Sequence, residues 1–481
     1  MPSTDLTVVV LAAGGGTRMK SATMKVLHEI GGRSMLGHVL HAVSALEPRQ
    51  VVTVIGHQRD QVGPHAQALL PETVLAVQET QEGTGHAVRI AAEAAREAGS
   101  ELGGDGTVLV CTGDTPLLRG ESLADFAAAH AASGHAVSIL SGTVPDPHGY
   151  GRILREGGPA ADGTQDVEAP VVAIVEEKEC TPEQRAISEI NSGILAFDAR
   201  FLRDALPRIG NSNAKGEYYL TDAIALARED GLTVGAHLVD DVAETEGAND
   251  RAQLAKLGRL LNDRVLEGWM KDGVTVIDPG STWIDVTASL AQDVTVLPGT
   301  QLLGGTSVAA GATIGPDTTL RDVTVGQGAS VVRTHGIGAD IGPGATVGPF
   351  SYLRPGTSLG ARGKIGGFVE TKNAQIGEGS KVPHLSYVGD ATIGEGTNIG
   401  AGTIFANYDG VEKHRTVVGD GTRTGSNNTF VAPVRIGDEA MTGGGTVVRE
   451  DVPDGALAVS AGPLRILEGW VAKRRKRRQD G

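Results

Sequence analysis

The sequence predicts an α/β domain with a mainly parallel sheet, followed by a parallel β-helix of hexapeptide repeats. Three observations predict it. From about residue 5 to 250, short apolar runs alternate with amphipathic segments, as strands and covering helices do in a parallel sheet. From Asp250 to Asp272 a single long amphipathic stretch intervenes. After Val274 glycine becomes dense, helical periodicity ends and an apolar residue recurs on a six-residue beat, the mark of one short unit stacked on itself.

In chain order, Thr7 to Leu11, Val51 to Ile55, Val74 to Val77 and Val108 to Cys111 read as buried strands. Between them Met35, Leu36, Val39, Leu40, Val43 and Leu46 hold the spacing of one helix face. Ligands of such sheets bind beyond the carboxyl ends of the strands. Gly14 to Lys25 and Gly113-Asp114 each follow a strand, which puts both on that rim. Leu254, Leu257, Leu261, Val265 and Trp269 share one side of the predicted connecting helix. The beat then runs through Ile341, Val347, Leu353, Leu359 and Ile365, continues at Ile376, Val382, Val388, Ile393 and Ile399, and returns at Val418, Phe430 and Ile436. One inward residue per short strand, with a small residue at each corner, gives a three-sided coil. The beat breaks at Asn407 to Arg415, and a polar excursion from a rigid solenoid is a place for function. The expected division is therefore 1–249, a linker helix over 250–272, a β-helix over 273–460 and a tail over 461–481.

A chain of 481 residues has length for two or three domains. No apolar run approaches a membrane span, and Met1 to Leu6 carries no signal-peptide pattern. Two cysteines, Cys111 and Cys180, form neither a disulfide framework nor a metal motif, so a reducing cytoplasm is expected. The formal charge of −16 argues against nucleic acid or an anionic membrane as partner.

The run Leu11 to Lys25, LAAGGGTRMKSATMK, carries the first chemistry. Glycines strip Cβ atoms from a turn after a strand, and Arg18 and Lys25 then supply positive charge, an arrangement suited to a polyphosphate. The dinucleotide fingerprint fails, because Met19 stands where its third glycine belongs and Gly56-His57-Gln58 lacks the acid; no GxxxxGK[ST] run is present. Asp114, in Gly113-Asp114-Thr115-Pro116, is a natural Mg²⁺ ligand at a strand end, though a turn aspartate reads the same way in isolation. In the repeats, His384 lies in KVPHLSY, Glu370 is placed to orient an imidazole, and Arg354, Lys372 and Lys413 are cations a solenoid does not need. A histidine near its ordinary pKa suits proton removal from an amine. The basic run Lys473 to Arg478 reads as a solvated end.

In this order the motifs closely resemble the bacterial bifunctional N-acetylglucosamine-1-phosphate uridylyltransferases / glucosamine-1-phosphate N-acetyltransferases. The resemblance runs from about Val8 to Trp470 and rests on LAAGGGTRM, EGTGHA (Glu82 to Ala87), GDTPL, GYGRI (Gly149 to Ile153), VEEK (Val175 to Lys178), EINSG (Glu189 to Gly193), GEYYLTD (Gly216 to Asp222), LRPG (Leu353 to Gly356), GGFVETK (Gly366 to Lys372), HLSYVGD, NIGAGT (Asn398 to Thr403), NYDG and GSNN (Gly425 to Asn428). It implies a nucleotidyltransferase domain, then a β-helix that winds left-handed, and enzymes supplying UDP-N-acetylglucosamine for the cell envelope. For the first domain it implies UTP and N-acetylglucosamine 1-phosphate as substrates. Leu11, Ala12, Gly14 and Gly15 would lie along the nucleotide, Arg18 and Lys25 on its phosphates, Asp114 and Asn249 on Mg²⁺, Gln78, Gly83 and Thr84 on uracil, and Gly151, Glu176 and Asn191 on the sugar. For the second it implies acetyl-CoA and glucosamine 1-phosphate. His384 would be the general base, with Glu370 hydrogen-bonded behind it. Arg354, Lys372, Tyr387, Asn398, Asn407 and Lys413 would hold the sugar phosphate, and Ala401, Asn407, Tyr408, Ser426 and Gly444 would line the acetyl-CoA groove. Family members are homotrimers with active sites between neighbouring β-helices.

Some positions depart from the family. Met24 stands where many relatives have proline, which implies a less stiff loop. Asp250 stands where a second asparagine is frequent, which adds charge near the metal. Gly444 replaces a common alanine. Ala461 stands where some members place an arginine for the coenzyme phosphates, a contact that Arg465 or the basic tail would have to take over. Two other readings keep less: a nucleotidyltransferase whose β-helix only oligomerises or regulates, and a non-catalytic regulatory subunit. Retention of Arg18, Lys25 and Asp114 in register weighs against the second.

Overall fold

In a computed structural model, residues 5–213, 215–460, 462, 466–471 and 473 are described. Ala461, Arg465 and Arg474 to Arg478 lie outside them. The chain forms two compact units that divide at Leu261, inside the long helix Arg251–Lys271. Among the described residues no helix is long and apolar enough to cross a membrane.

The first unit is built on nine strands: β1 (Leu6–Leu11), β2 (Gln50–Ile55), β3 (Val74–Val77), β4 (Thr107–Thr112), β5 (Val137–Thr143), β6 (Arg152–Arg155), β7 (Val171–Val175), β8 (Glu189–Asp198) and β9 (Val234–Leu238). Their main order is β9-β5-β8-β4-β1-β2-β3, with β6 and β7 paired at one side. The pairs β1–β2, β1–β4, β2–β3 and β9–β5 are parallel, and β8 runs antiparallel to its neighbours. Alternate side chains serve opposite faces. Val9, Val52 and Val110 pack with Val88 and Ala91 of the helix Thr84–Glu97, while Val8, Val10 and Cys111 pack with Leu36, Val39 and Leu40 of the helix Met35–Ser44. The chain moves outward one way from β1 to β2 and the other way to β4. The crevice beyond Leu11 and Thr112 is therefore a switch point.

Along Arg251–Lys271, Leu257, Leu261 and Leu266 are the buried apolar residues, while Leu254, Val265 and Trp269 are half-buried. The buried stripe thus moves one residue from the expected Val265 to Leu266, because the buried Asn262 takes a place on it. The Asn262 amide donates to the Thr282 carbonyl (2.9 Å) and accepts from the Ile284 N–H (3.1 Å), tying the helix to the first coil.

In the second unit the six-residue beat becomes vertical register. Val296, Ile314, Val331, Val347, Ile365 and Val382 stack as consecutive parallel partners. A second column runs Leu290, Val308, Val325, Ile341, Leu359, Ile376, Ile393, Val418 and Ile436. Every strand beyond the linker pairs in parallel, consistent with a left-handed β-helix. Each inward residue joins one continuous apolar core, closed toward one end by Phe405 edge-on to Phe430, 5.1 Å between ring centres. One corner is held by glycine: a Cβ on Gly342, Gly360 or Gly377 would stand 2.6–2.7 Å from the backbone of the next coil. The excursion at Asn407 to Arg415 is a small hairpin with an antiparallel bridge between Tyr408 and Lys413.

Gly377→Ala forces backbone apart in a coil that cannot shift without moving its neighbours, and is expected to destabilise the β-helix by about 1–3 kcal/mol. Differential scanning calorimetry checks this as a lowered transition for that unit with the other unchanged.

Candidate active sites

The glycine-rich turn leaves β1 at Leu11, with the Ala12 N–H bonded to the Val54 carbonyl at 2.8 Å. Gly16 is left-handed (φ +58°), and a Cβ there would lie 2.4 Å from Cβ of Lys25. That close approach lets Lys25 fold back across the turn. The Lys25 ammonium forms an ion pair with Asp114 and donates to Oδ1 of Asn249 at 2.8 Å. Asp114 follows β4, and its carbonyl accepts from the Ala248 N–H (3.3 Å), which brings Asn249 alongside. A Cβ on Gly247 would stand 3.2 Å from the Asp114 carboxylate.

These elements wall a cleft of about 490 Å³. It brings together Leu11, Ala12, Gly14, Arg18, Lys25, Gln78, Gly83, Thr84, Asp114 and Asn249. Gly15 faces a neighbouring groove beside Gly56 to Asp60 instead. Gln78 donates to the Gly83 carbonyl at 3.2 Å, and the helix Thr84–Glu97 begins at the cleft wall, which puts its positive end there. Gly83 (φ +107°) has no room for a Cβ, which would meet the Tyr218 carbonyl at 2.5 Å. The Thr84 hydroxyl accepts from the Leu220 N–H at 3.0 Å, so the EGTG and GEYY motifs form one clasp.

Gly151, Glu176 and Asn191 lie together outside that cleft lining. The Asn191 N–H bonds the Gly151 carbonyl at 2.8 Å, and a Cβ on Gly151 would come 3.5 Å from the Glu176 carboxylate. Two ion pairs brace this corner: buried Arg152 with half-buried Glu177, and Arg155 with Glu189, both buried, at 2.7 Å. The sequence reading passed over these supports, and over Gln81, Glu217 and Tyr219 of the cleft lining. The motif GEYYLTD held two of those three, without a chemistry that singled them out.

Two oxygens from separate loops, on Asp114 and Asn249, converge on one cation, the Lys25 ammonium. Among the described residues no cluster of three or more His, Cys, Asp or Glu is present. One carboxylate and one amide oxygen fit Mg²⁺, which keeps waters and takes its remaining ligands from phosphates. Asp250, next to Asn249, caps the long helix: its Oδ1 accepts the N–H groups of Ala252 and Gln253, each at 2.9 Å. Met24 is buried in the apolar cluster of Leu36 and Val39, which anchors this loop.

In the β-helix the expected residues fall into two groups. The first is a column at one corner. The Gly402 N–H bonds the His384 carbonyl (3.1 Å), the Asn427 N–H bonds that of Ala401 (2.7 Å) and the Gly445 N–H that of Ser426 (2.8 Å), so His384, Ala401, Ser426 and Gly444 stand on successive coils. His384 is exposed and Asn398 lies in register with Lys381 of the same strand. The second group is Arg354, Glu370, Lys372, Tyr387, Asn407 and Lys413. Here Glu370 pairs with Arg354 at 2.9 Å, which raises the Arg354 pKa. Among the described residues it makes no hydrogen bond to His384. Register explains the difference: Glu370 stacks between Tyr352 and Tyr387, whereas His384 stacks on Gly367. Lys413 beside Lys372 pushes the Lys372 pKa down. Tyr408 is exposed on the hairpin, its hydroxyl donating to the Gly410 carbonyl at 2.6 Å.

Residues 8–177 match the MobA-like NTP transferase domain. The chain is 58% identical over 468 residues to the bifunctional protein GlmU of Thermobifida fusca, covering 97% of this chain and 94% of that protein. It is 57% identical to that of Mycolicibacterium vanbaalenii (98% and 94% covered) and 54% to that of Corynebacterium aurimucosum (98% and 94%). The chain belongs to the bifunctional GlmU family. Its activities are accordingly nucleotidyl transfer and acetyl transfer in UDP-N-acetylglucosamine synthesis. As a nucleotidyltransferase of this family it takes a nucleotide substrate.

Gly16→Ala places a side chain against Lys25 and a strained backbone in the turn. Nucleotidyl transfer, read as pyrophosphate release, is expected to fall about a hundredfold, with acetyl transfer unchanged.

Proposed function

We propose that the cleft beyond β1 and β4 performs uridylyl transfer and that the coil residues around His384 perform acetyl transfer. The observation that carries the first assignment is the convergence of Lys25, Asp114 and Asn249 at the phosphate end of a glycine-lined cleft. In this reading UTP lies along Leu11, Ala12 and Gly14 with its uracil against Gln78, Gly83 and Thr84, while Gly15 turns to the neighbouring groove. N-acetylglucosamine 1-phosphate is held by Gly151, Glu176 and Asn191. An oxygen of the sugar phosphate attacks the α-phosphorus, the bond to the bridging oxygen breaks, and pyrophosphate leaves. Arg18 and Lys25 neutralise the triphosphate, since this chemistry depends on positioning and charge. A Mg²⁺ held by Asp114 and Asn249 would supply further neutralisation of the phosphate oxygens.

In the β-helix, Arg354 and Lys372 bind the phosphate of glucosamine 1-phosphate, with Tyr387, Asn398, Asn407 and Lys413 around the sugar. His384 takes a proton from the amine as its nitrogen attacks the thioester carbonyl, and coenzyme A leaves as the thiol. Ala401, Asn407, Tyr408, Ser426 and Gly444 form the acetyl-CoA groove. The homotrimer is part of this reading. Phe350 and Phe368 stack on successive coils (5.3 Å) yet stay more than half exposed, with Leu385 next in line beside His384. An apolar column of this kind suits a neighbouring β-helix. The domain division at 1–249, 250–272, 273–460 and 461–481 belongs to the same reading, as does a reducing cytoplasm for two free buried cysteines.

Lys25→Ala or Asp114→Ala is expected to lower pyrophosphate release from UTP and N-acetylglucosamine 1-phosphate about a hundredfold or more, with coenzyme A release largely intact. His384→Ala is expected to do the reverse, by about 10²–10⁴-fold. If either change stops both reactions in folded protein, the two-site assignment is wrong.

A further inference from the structure

The cations of the coil site face a carboxylate that has no part in the chemistry above. Asp390 follows Tyr387 on the strand Tyr387–Ile393. Its Oδ1 accepts from the Asn373 amide at 2.8 Å and its Oδ2 from the Asn407 amide at 2.5 Å. Asn407 is buried, and its amide also lies 3.5 Å from the Tyr387 hydroxyl. The groups around Lys372 are Lys413 from the hairpin, Asp390 from the next coil and Arg354 from the preceding one. Lys413 and Arg354 work against the Lys372 charge and Asp390 works for it. Burial opposes the Asp390 charge, but the two amides and the two lysines hold its carboxyl below the usual range.

We propose that Asp390 is a positioning residue of the acetyl-transfer site: its carboxylate turns the Asn407 amide and sets a fixed negative charge near the Lys372 and Lys413 side chains, so that a sugar phosphate meets a prearranged pair of cations. This rests on the assignment of acetyl transfer to the coil site. A carboxylate accepts only, so both bound amides must present nitrogen to it. The Asn407 Oδ1 is thereby left for other partners. Two like charges held together bind a phosphate well but repel each other while it is absent, and a fixed anion nearby reduces that cost.

A plain structural role competes with this one. Asp390 has a left-handed backbone (φ +49°), a conformation that favours Asp and Asn for local reasons. The two roles part on Asp390→Asn, which suits that backbone equally and removes only the charge. For glucosamine 1-phosphate, KM is expected to rise about five- to tenfold, with a smaller change in kcat and with pyrophosphate release and the thermal transition unchanged. The sign of the pH effect follows from the loss of an anion. Lys372 sheds its proton at lower pH, so the alkaline limb of kcat/KM for glucosamine 1-phosphate moves down by about half a unit or more. Asp390→Glu keeps the charge and is expected to return that limb toward wild type even if its longer side chain costs some affinity. A wild-type KM and pH profile in Asp390→Asn would overturn the proposal, as would an alkaline limb in Asp390→Glu as low as in Asp390→Asn. Loss of the thermal transition in Asp390→Asn would also count against it, since structure rather than charge would then explain the residue. The parent assignment fails separately, through undiminished coenzyme A release by His384→Ala.

Discussion

The cleft beyond β1 and β4 is organised around one cation, the ammonium of Lys25. It joins three segments far apart in the chain: the glycine-rich turn, the loop after β4 that carries Asp114, and the stretch before the long helix that carries Asn249. Each is short and would be loosely held alone. The turn must be glycine at position 16 for the lysine to cross it, and Gly247 must be small for the last stretch to reach the Asp114 carboxylate. In a chain with a formal charge of −16, an anionic donor is gathered by such local arrangements against the overall field. A point where a carboxylate and an amide oxygen already surround a positive charge is also one where a hard divalent ion and a phosphate can be received.

The β-helix solves a different problem by repetition. Each coil offers only a few inward side chains, and stacking turns them into a continuous core. Because the register is fixed, residues one coil apart superpose, and chemistry is laid out along columns. The column of His384, Ala401, Ser426 and Gly444 and the cluster of Arg354, Lys372 and Lys413 are both consequences of that register. Where the beat is interrupted, the hairpin at Asn407 to Arg415 carries Lys413 over the stack.

Much of this was legible in the sequence because periodicity reports burial directly. Val8, Val9 and Val10 had to be strand, and Ile341 to Ile365 had to be inward residues on successive sides of a stacked coil, since no other arrangement buries those residues at those spacings. That the glycine-rich turn opens onto a cleft was legible from its place after a strand and from its glycines and cations. What was not legible depends on contacts across the chain. The buried stripe of the linker helix moved to Leu266 because Asn262 found partners on the first coil. Asp250 became a helix cap because the Ala252 and Gln253 N–H groups stood within reach. Glu370 went to Arg354 because register stacks it between Tyr352 and Tyr387, a fact carried by coil length and not by composition. Asp390 gave no signal of its own, being one aspartate among many at a turn.

The central claim is that this chain holds two separate sites of unlike chemistry, one that gathers phosphates around a cation held by oxygens and one built from histidine and basic side chains. The most direct measurement is the response of both half-reactions to removal of divalent metal by EDTA, in one preparation of wild-type protein. The account predicts that pyrophosphate release stops and returns with Mg²⁺, while coenzyme A release continues at an unchanged rate. Metal dependence of both reactions, or of neither, would contradict it.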